Sequence, residues 1–278
     1  MDTLETKLAN LRQNLHSLER VAVAFSGGVD STLLLKVAVD ELGEAAIGLT
    51  AVSPSLAATE KAEAEALAGQ IGATLELIPS REMEDARYLA NNPDRCFFCK
   101  NEVYGELVAY TRQNGFHALL DGTNADDAGD HRPGRQAAAR HKVRSPLLEA
   151  GLTKADIRTL ATRFGLPNWD KPAAACLSSR IPYGQHITFE ALSQVERAEA
   201  ELRRLGFTQL RVRHHENLAR IEVEPEAFEN VINQREEIVT SLKQLGYTFV
   251  TLDLQGFRSG SLNEVWRRPA AQPADART

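Results

Sequence analysis

The stretch Phe25-Ser26-Gly27-Gly28-Val29-Asp30-Ser31 limits what this chain can fold into more than any other part of it. An apolar run from Val21 through Ala24 to Phe25 precedes it, and Leu33, Leu34, Leu35 and Val37 follow in a helical pattern. A buried strand, a glycine turn and a helix start therefore come in that order. Adjacent glycines let backbone N–H groups approach a ligand closely, and the helix start favours negative charge there. Ser26, Ser31 and Thr32 add hydroxyls that can bond phosphate oxygens. Asp30 is the exception, because a carboxylate beside phosphates repels them unless a cation lies between; this points to Mg²⁺ bridging to a nucleotide. The ending of a Walker loop is missing, and so is the dinucleotide Gly-x-Gly-x-x-Gly. The expectation is an ATP site contacted by Ala24, Phe25, Ser26, Gly27, Gly28, Asp30 and Ser31.

Ser-Gly-Gly-x-Asp-Ser after a strand resembles the pyrophosphate loop of the N-type ATP pyrophosphatases. Those enzymes cleave ATP between its α and β phosphates, adenylating an oxygen that a nucleophile then displaces with AMP.

Apolar segments alternate with helical ones through the first half of the chain. Helical spacing of Leu4, Leu8, Leu11, Leu15 and Leu18 predicts a helix over 2–18, and an Ala/Glu-rich helix follows at 58–69. Strands are expected at 46–52, 74–78 and 117–122, with a helix from Glu102 to Arg112. This alternation predicts an α/β fold, a parallel sheet covered on both faces, with ligands at the carboxyl ends of its strands. From about residue 188 the pattern changes. A charged helix from Phe189 to Leu205 leads into alternating strands at 209–213 and 219–223, the mark of a half-exposed antiparallel sheet. A helix around 226–245 and a strand at 248–254 complete a smaller α+β domain. The expected division is 1–186, 187–265 and a Pro/Ala/Arg-rich disordered tail at 266–278.

With 278 residues, 43% of them hydrophobic, the chain can bury a substantial core. A net charge of −6 argues against a protein built to coat nucleic acid. No apolar run of membrane length and no signal pattern is present, and three cysteines make no secreted disulfide framework, so a cytoplasmic, membrane-free protein is expected.

Several groups could carry chemistry. Asp121 to Asp127 follows the fourth strand and is similar to a segment of NAD synthetases that serves the nucleotide and its metal, which makes Gly122, Thr123 and Asp127 candidates. Asp130-His131-Arg132-Pro133-Gly134 adds a polar loop nearby. Cys96-x-x-Cys99, with the distant Cys176, could bind zinc with one further ligand, hold a [4Fe–4S] cluster with one iron left free, or be unligated. Lys100 could neutralise phosphate or be solvated. Cys176 lies in a loop with Lys171, Ser178, Ser179 and Arg180, an electropositive setting for a thiol. Arg211 and Arg213 alternate along one strand and so share a face. Either could grip phosphate through its guanidinium fork or pair with Glu222 and Glu224. His214 and His215 read as surface residues.

The segment Trp169 to Gly184 with its Cys-Leu-Ser-Ser-Arg core, the arginine strand and the ending Thr251 to Gly260 resemble the LarE family of sulfur transferases, over nearly the whole chain. The resemblance implies adenylation of a carboxylate of pyridinium-3,5-biscarboxylic acid mononucleotide and its conversion to a thiocarboxylate, for the nickel-pincer cofactor of lactate racemase. It also implies ATP and Mg²⁺, substrate phosphate on Arg211, Arg213 and Arg258, and a reaction chamber lined by Ser179, Arg180 and Glu199. In some members the cysteine matching Cys176 gives up its own sulfur; in others three cysteines hold a [4Fe–4S] cluster. Cys96 and Cys99 place this chain with the second group and point to Cys176 as a cluster ligand. A sulfide or other sulfur donor, further cofactor-maturation proteins and a homo-oligomer are implied partners. The alternatives are a cluster-dependent tRNA thiolase and an ammonia-using ligase like NAD synthetase. An ATP-binding regulatory module would bind without catalysing.

Overall fold

A computed structural model describes residues 3–129, 133–172, 174–258 and 260–262. The polar loop at 130–132 and the expected tail at 266–278 lie outside the described residues. The chain divides into two compact units, Met1–Ala175 and Cys176–Thr278.

In the first unit β1 (Val21–Ala24), β2 (Ala46–Val52), β3 (Thr74–Pro79) and β4 (Ala118–Leu120) form one all-parallel sheet in the order β3-β2-β1-β4. Val21 lies opposite Ala46 on one side and Ala118 on the other. The α/β reading therefore holds. The chain steps outward from β1 to β3, then returns to the far side of β1 with β4. That reversal opens a crevice at the carboxyl ends of β1 and β4, the usual ligand position in open α/β sheets. The glycine loop leaves β1 there, and the Asp121–Asp127 segment leaves β4.

The helices of this unit are α1 (Leu4–His16), α2 (Val29–Leu42), α3 (Ala58–Ile71), α4 (Ala86–Leu89), α5 (Arg95–Gln113), α6 (Pro133–Arg140), α7 (Pro146–Glu149) and α8 (Lys154–Arg163). Leu8, Leu11 and Leu15 of α1 are buried, as their spacing predicts. Helix α2 buries Leu33, Leu34 and Leu35 in succession because α1, α3, α8 and the sheet surround it. A Cβ on Gly48 would come within 2.9 Å of Leu75 and 3.2 Å of Leu35, so glycine in β2 lets α2 close on the sheet. Helix α5 starts about two turns earlier than its apolar pattern suggests. Asp94 stands at its N-cap, and Cys96 and Cys99 fall on its opening turns, not in a preceding loop.

The second unit contains α9 (Phe189–Arg204), β5 (Leu210–His215), β6 (Leu218–Val223), α10 (Phe228–Asn233), α11 (Arg235–Gln244) and β7 (Phe249–Leu252). The helix expected over 226–245 is broken at Gln234. The sheet order is β5-β6-β7, and the sheet is mixed: β5 pairs antiparallel with β6, but β7 runs parallel to β6. The half-exposed expectation fails for β5, which is buried from Leu210 to His214. Val212 and Leu210 join Leu202, Ile238 and Leu242 in the core. Arg211 and Arg213 point to protein groups on the other face rather than to water.

Candidate functional site: a glycine loop and an arginine-bearing sheet

The loop is set by its own atoms and by distant ones. Phe25 N–H donates to the Leu49 carbonyl at 2.8 Å, and the Thr50 hydroxyl donates to the Phe25 carbonyl at 2.7 Å, so β2 holds the loop's entry. Gly27 takes φ +69°, a left-handed conformation that glycine adopts without strain. The Ser31 hydroxyl donates to the Gly28 carbonyl at 3.1 Å and receives the Ser26 N–H at 3.3 Å, closing the turn on itself. Gly28 is the N-cap of α2 and provides no side-chain cap, so the first N–H groups of the helix are free of competition from a capping oxygen. The Ser26 side chain is exposed, and Ala24 at the end of β1 is half-buried.

Asp30 stands in the first turn of α2. Its carboxylate accepts from Lys154 Nζ at 2.5 Å and from Asn124 Nδ2 at 3.3 Å. Lys154 N–H also donates to Asp126 at 2.8 Å, which ties α8 to the segment after β4. Asn124 N–H donates to Asp127 at 3.2 Å, and the carbonyl of Asp127 accepts from Arg135 at 3.1 Å. Asp121 receives the Thr123 N–H at 3.1 Å, the Ser145 hydroxyl at 2.7 Å and the Tyr104 hydroxyl at 3.2 Å. Burial, reinforced by the charge of Asp121, raises the Tyr104 hydroxyl well above its ordinary pKa. A Cβ on Gly122 would lie 2.9 Å from Ser31 N, so the two loops touch at a point only glycine fits. Asp30, Ser31, Gly122, Thr123 and Asp127 are thus brought together. Asp30 offers carboxylate oxygens, the hard donors that Mg²⁺ takes, and they are bonded here to Lys154 and Asn124.

Sequence reasoning missed three parts of this unit. Lys154 reaches Asp30 from 124 residues away. Asn168 donates to the Gly27 carbonyl at 3.0 Å and to Thr32 Oγ1 at 2.9 Å. The carboxylate of Glu82, only 1% exposed, collects the hydroxyls of Ser53, Ser55 and Ser80 where β2 and β3 end. Three serines and an acid around two strand ends were visible as letters, but nothing local signalled that they converge.

Cys96 and Cys99 sit three residues apart on α5 and so share one helix face. Neither is in a disulfide; Cys96 is exposed and Cys99 half-buried. Their place in the opening turns of a helix favours bound negative charge. Lys100 is exposed and lies over the Tyr104 ring at 5.6 Å. Among the described residues, no group of three or more His, Cys, Asp or Glu is gathered around one metal position.

In the second unit Cys176 is an exposed free thiol at the start of a 3-10 turn, Leu177–Arg180. The electropositive setting expected for its loop is largely neutralised by pairing. Lys171, in the first unit, bonds Glu60 at 2.9 Å and Glu63 at 2.6 Å. Arg180 grips the buried Glu199 through two nitrogens at 2.8 and 3.1 Å, and also donates to the Cys176 carbonyl at 3.0 Å and the Ser179 hydroxyl at 3.1 Å. Arg213, 2% exposed, holds Glu222 with two bonds of 2.9 Å, the Ser179 carbonyl at 2.7 Å and Ser261 at 2.6 Å. Its fork is therefore committed to the protein.

Arg211 differs. It is 7% exposed and has no ion pair among the described residues, and its guanidinium lies over the Phe257 ring at 4.8 Å. Burial, with Arg180 and Arg213 adding repulsion, pulls its pKa down to about 10. Arg180 and Arg203 share Glu199, and Arg213 and Arg220 share Glu222, so among the described residues neither buried carboxylate is left for Arg211. Arg258 donates to the Gly256 carbonyl at 3.2 Å, in the same segment as Phe257. His214 is buried, contrary to the surface reading. It hydrogen-bonds Tyr247 at 3.2 Å, and burial lowers its pKa.

The chain is 40% identical over 95% of its length, and 96% of the relative's, to pyridinium-3,5-bisthiocarboxylic acid mononucleotide synthase of Lactiplantibacillus plantarum. It belongs to that family, LarE. Two uncharacterized relatives show how far the similarity extends. One, from Synechocystis sp., is 48% identical over 94% of this chain and 98% of its own. The other, from Methanocaldococcus jannaschii, is 29% identical over 91% and 98%. No family model matches the chain. Among the described residues, no helix is long and apolar enough to cross a membrane.

Proposed function

We propose that the chain is an ATP-dependent sulfur transferase that adenylates a carboxylate of pyridinium-3,5-biscarboxylic acid mononucleotide and replaces its oxygen with sulfur. The observation that carries this reading is the end-to-end relationship to a synthase whose name specifies the bisthiocarboxylic product. The family assignment favours it over the tRNA thiolase and the ammonia-using ligase.

The chemistry needs ATP because hydroxide leaves a carboxylate poorly and AMP leaves it well. In this reading the loop N–H groups and the Ser26 and Ser31 hydroxyls cradle the phosphates. Asp30 holds Mg²⁺ with help from the Asp126–Asp127 segment, and Lys154, released from Asp30, faces the charge that develops on departing pyrophosphate. The substrate's phosphate is held by Arg211, the one arginine of the sheet without a carboxylate partner among the described residues, with Arg258 next in sequence to the Phe257 ring that Arg211 lies over. Arg213 and Arg180 act by holding β5 and the 177–180 turn in place through Glu222 and Glu199.

Cys96 and Cys99 suit two-point ligation of a [4Fe–4S] cluster, since neither is tied up in a disulfide and they share a helix face; Cys176 would supply the third thiolate. Such a cluster, when bound, would present transferable sulfide at an iron without a protein ligand. A sulfur donor, further maturation proteins of the nickel-pincer cofactor and a homo-oligomer belong to the same reading.

The test is to incubate the protein, purified without oxygen, with ATP, Mg²⁺, sulfide and the dicarboxylate. Mass spectrometry should find oxygen exchanged for sulfur, with AMP and pyrophosphate released. ATP consumption with no thiocarboxylate would overturn the sulfur-transfer reading. About four irons and four labile sulfides per chain, lost on Cys96→Ser, would support the cluster. Iron-free active protein whose Cys176 loses its sulfur would replace the cluster with a sacrificial cysteine.

A further inference from the structure

The glycine loop bonds within itself, yet its Gly27 carbonyl is held by a residue 141 positions away. Asn168 is 7% exposed, and its single amide nitrogen donates twice, to the carbonyl of Gly27 at 3.0 Å and to Thr32 Oγ1 at 2.9 Å. These acceptors bracket the turn: Gly27 is its left-handed residue, and Thr32 lies in the first turn of α2. The oxygen of the amide, Oδ1, is buried with no hydrogen-bond partner among the described residues. Leaving a buried acceptor unpaired costs about 1–3 kcal/mol, so the favourable part of this amide's placement lies in its nitrogen.

The surroundings make a clamp. Across the loop, Ala64 of α3 closes on Gly27, where even a Cβ would meet it at 3.4 Å. The segment carrying Asn168 is fixed at both ends. Leu166 is buried in the core with Leu160 and Ala161, and Lys171 is bonded to Glu60 and Glu63 on the same helix that carries Ala64. Gly27 is thus held between α3 and a strap that is itself fastened to α3.

We propose that Asn168 is a positioning residue of the nucleotide site, which fixes the Gly27 peptide so that the loop meets phosphate without rearranging. It touches no reacting atom. The inference rests on the reading of the loop as a phosphate cradle and adds a residue to it.

The test compares adenosine with Mg-ATP, by calorimetric titration on the full chain, for the natural protein and for Asn168→Ala. Two lost hydrogen bonds predict ATP binding weakened about 10- to 100-fold. Adenosine, which has no phosphates, should bind within about twofold of normal, since the hydrogen bonds removed act on the phosphate cradle alone. Amide exchange in the ligand-free variant should speed up over 26–32 and stay unchanged in β2 and β3. Equal ATP affinity in the two proteins would overturn the proposal. So would parallel loss of adenosine and ATP binding with faster exchange throughout the sheet, which marks a merely structural residue. If Asn168→Ala does not fold, Asn168→Ser reports on the same comparison with a smaller, partly restored donor. Natural protein that binds adenosine but gains nothing from the phosphates would overturn the cradle reading itself, and this proposal with it.

Discussion

The two units arrange their polar groups in opposite ways. The first unit relies on backbone: glycines at Gly27, Gly28 and Gly122, an uncapped helix start, and one half-exposed ion pair, Asp30 with Lys154. The second relies on buried side-chain charge, with Glu199 and Glu222 pinning Arg180 and Arg213 and, among the described residues, leaving no buried carboxylate for Arg211. A half-exposed pair contributes at most about 1 kcal/mol and can exchange partners. A buried one cannot be opened without a large loss. The loop can therefore trade its contacts during a reaction, whereas the arginine sheet has to be correct beforehand.

The largest effect should come from breaking a buried pair. Glu222→Gln leaves the Arg213 charge unpaired at a site 0–2% exposed, and the expected loss is about 3–5 kcal/mol in denaturant unfolding of the second unit. A loss below about 1 kcal/mol would show that the pair is not the pin described here. Next is Arg211→Ala. It should weaken substrate binding about 10- to 100-fold while moving the unfolding midpoint little, since no carboxylate is orphaned. Arg213→Ala should do the reverse, costing stability first, and the two titrated side by side would sharpen the contrast.

In the first unit, Gly122→Ala pushes a methyl to 2.9 Å from the Ser31 nitrogen, and steric overlap predicts about 1–3 kcal/mol lost from nucleotide binding. Thermal stability should fall less than ATP affinity. Lys154→Ala removes a cation that the fold does not depend on, so stability should change by under about 1 kcal/mol; slower pyrophosphate release chemistry is the readout.

The smallest effect is one of pH. Burial depresses His214, so the unfolded chain takes up a proton before the folded one does. Stability contributed by the neutral ring is full above the unfolded pKa near 6.5 and is lost as pH falls below it toward the lowered folded value. Unfolding midpoints at about pH 7 and about pH 5.5 should differ in this sense, and the difference should shrink in His214→Asn.

How much of this the sequence reveals follows from sequence distance. The loop from Ser26 to Ser31 is local, and a strand, two glycines and a helix start suffice to read it. The parallel sheet is legible for the same reason, since each strand announces itself by an unbroken apolar run. Asn168 and Lys154 carry no such signal. Each is an ordinary polar residue until the fold delivers it to Gly27 or Asp30. The alternation of β5 was read with the right period and the wrong environment, because polar side chains at alternate positions face Glu222, Ser179 and Ser261 as readily as water. His214 misled for the same reason. The start of α5 was missed because its opening turns hold cysteines and phenylalanines with no polar face to mark a helix.

The bonds from Asn168 to Gly27 and from Lys154 to Asp30 span 141 and 124 residues. During synthesis the glycine loop leaves the ribosome well before Lys154 and Asn168, its partners late in the first unit. Contacts of such separation form late, after the entropy of closing a long loop has been met. A nascent chain stopped short of residue 168 would carry every letter of the loop and lack its finished shape, so that shape arrives with the completion of the unit rather than with the translation of its most recognisable segment.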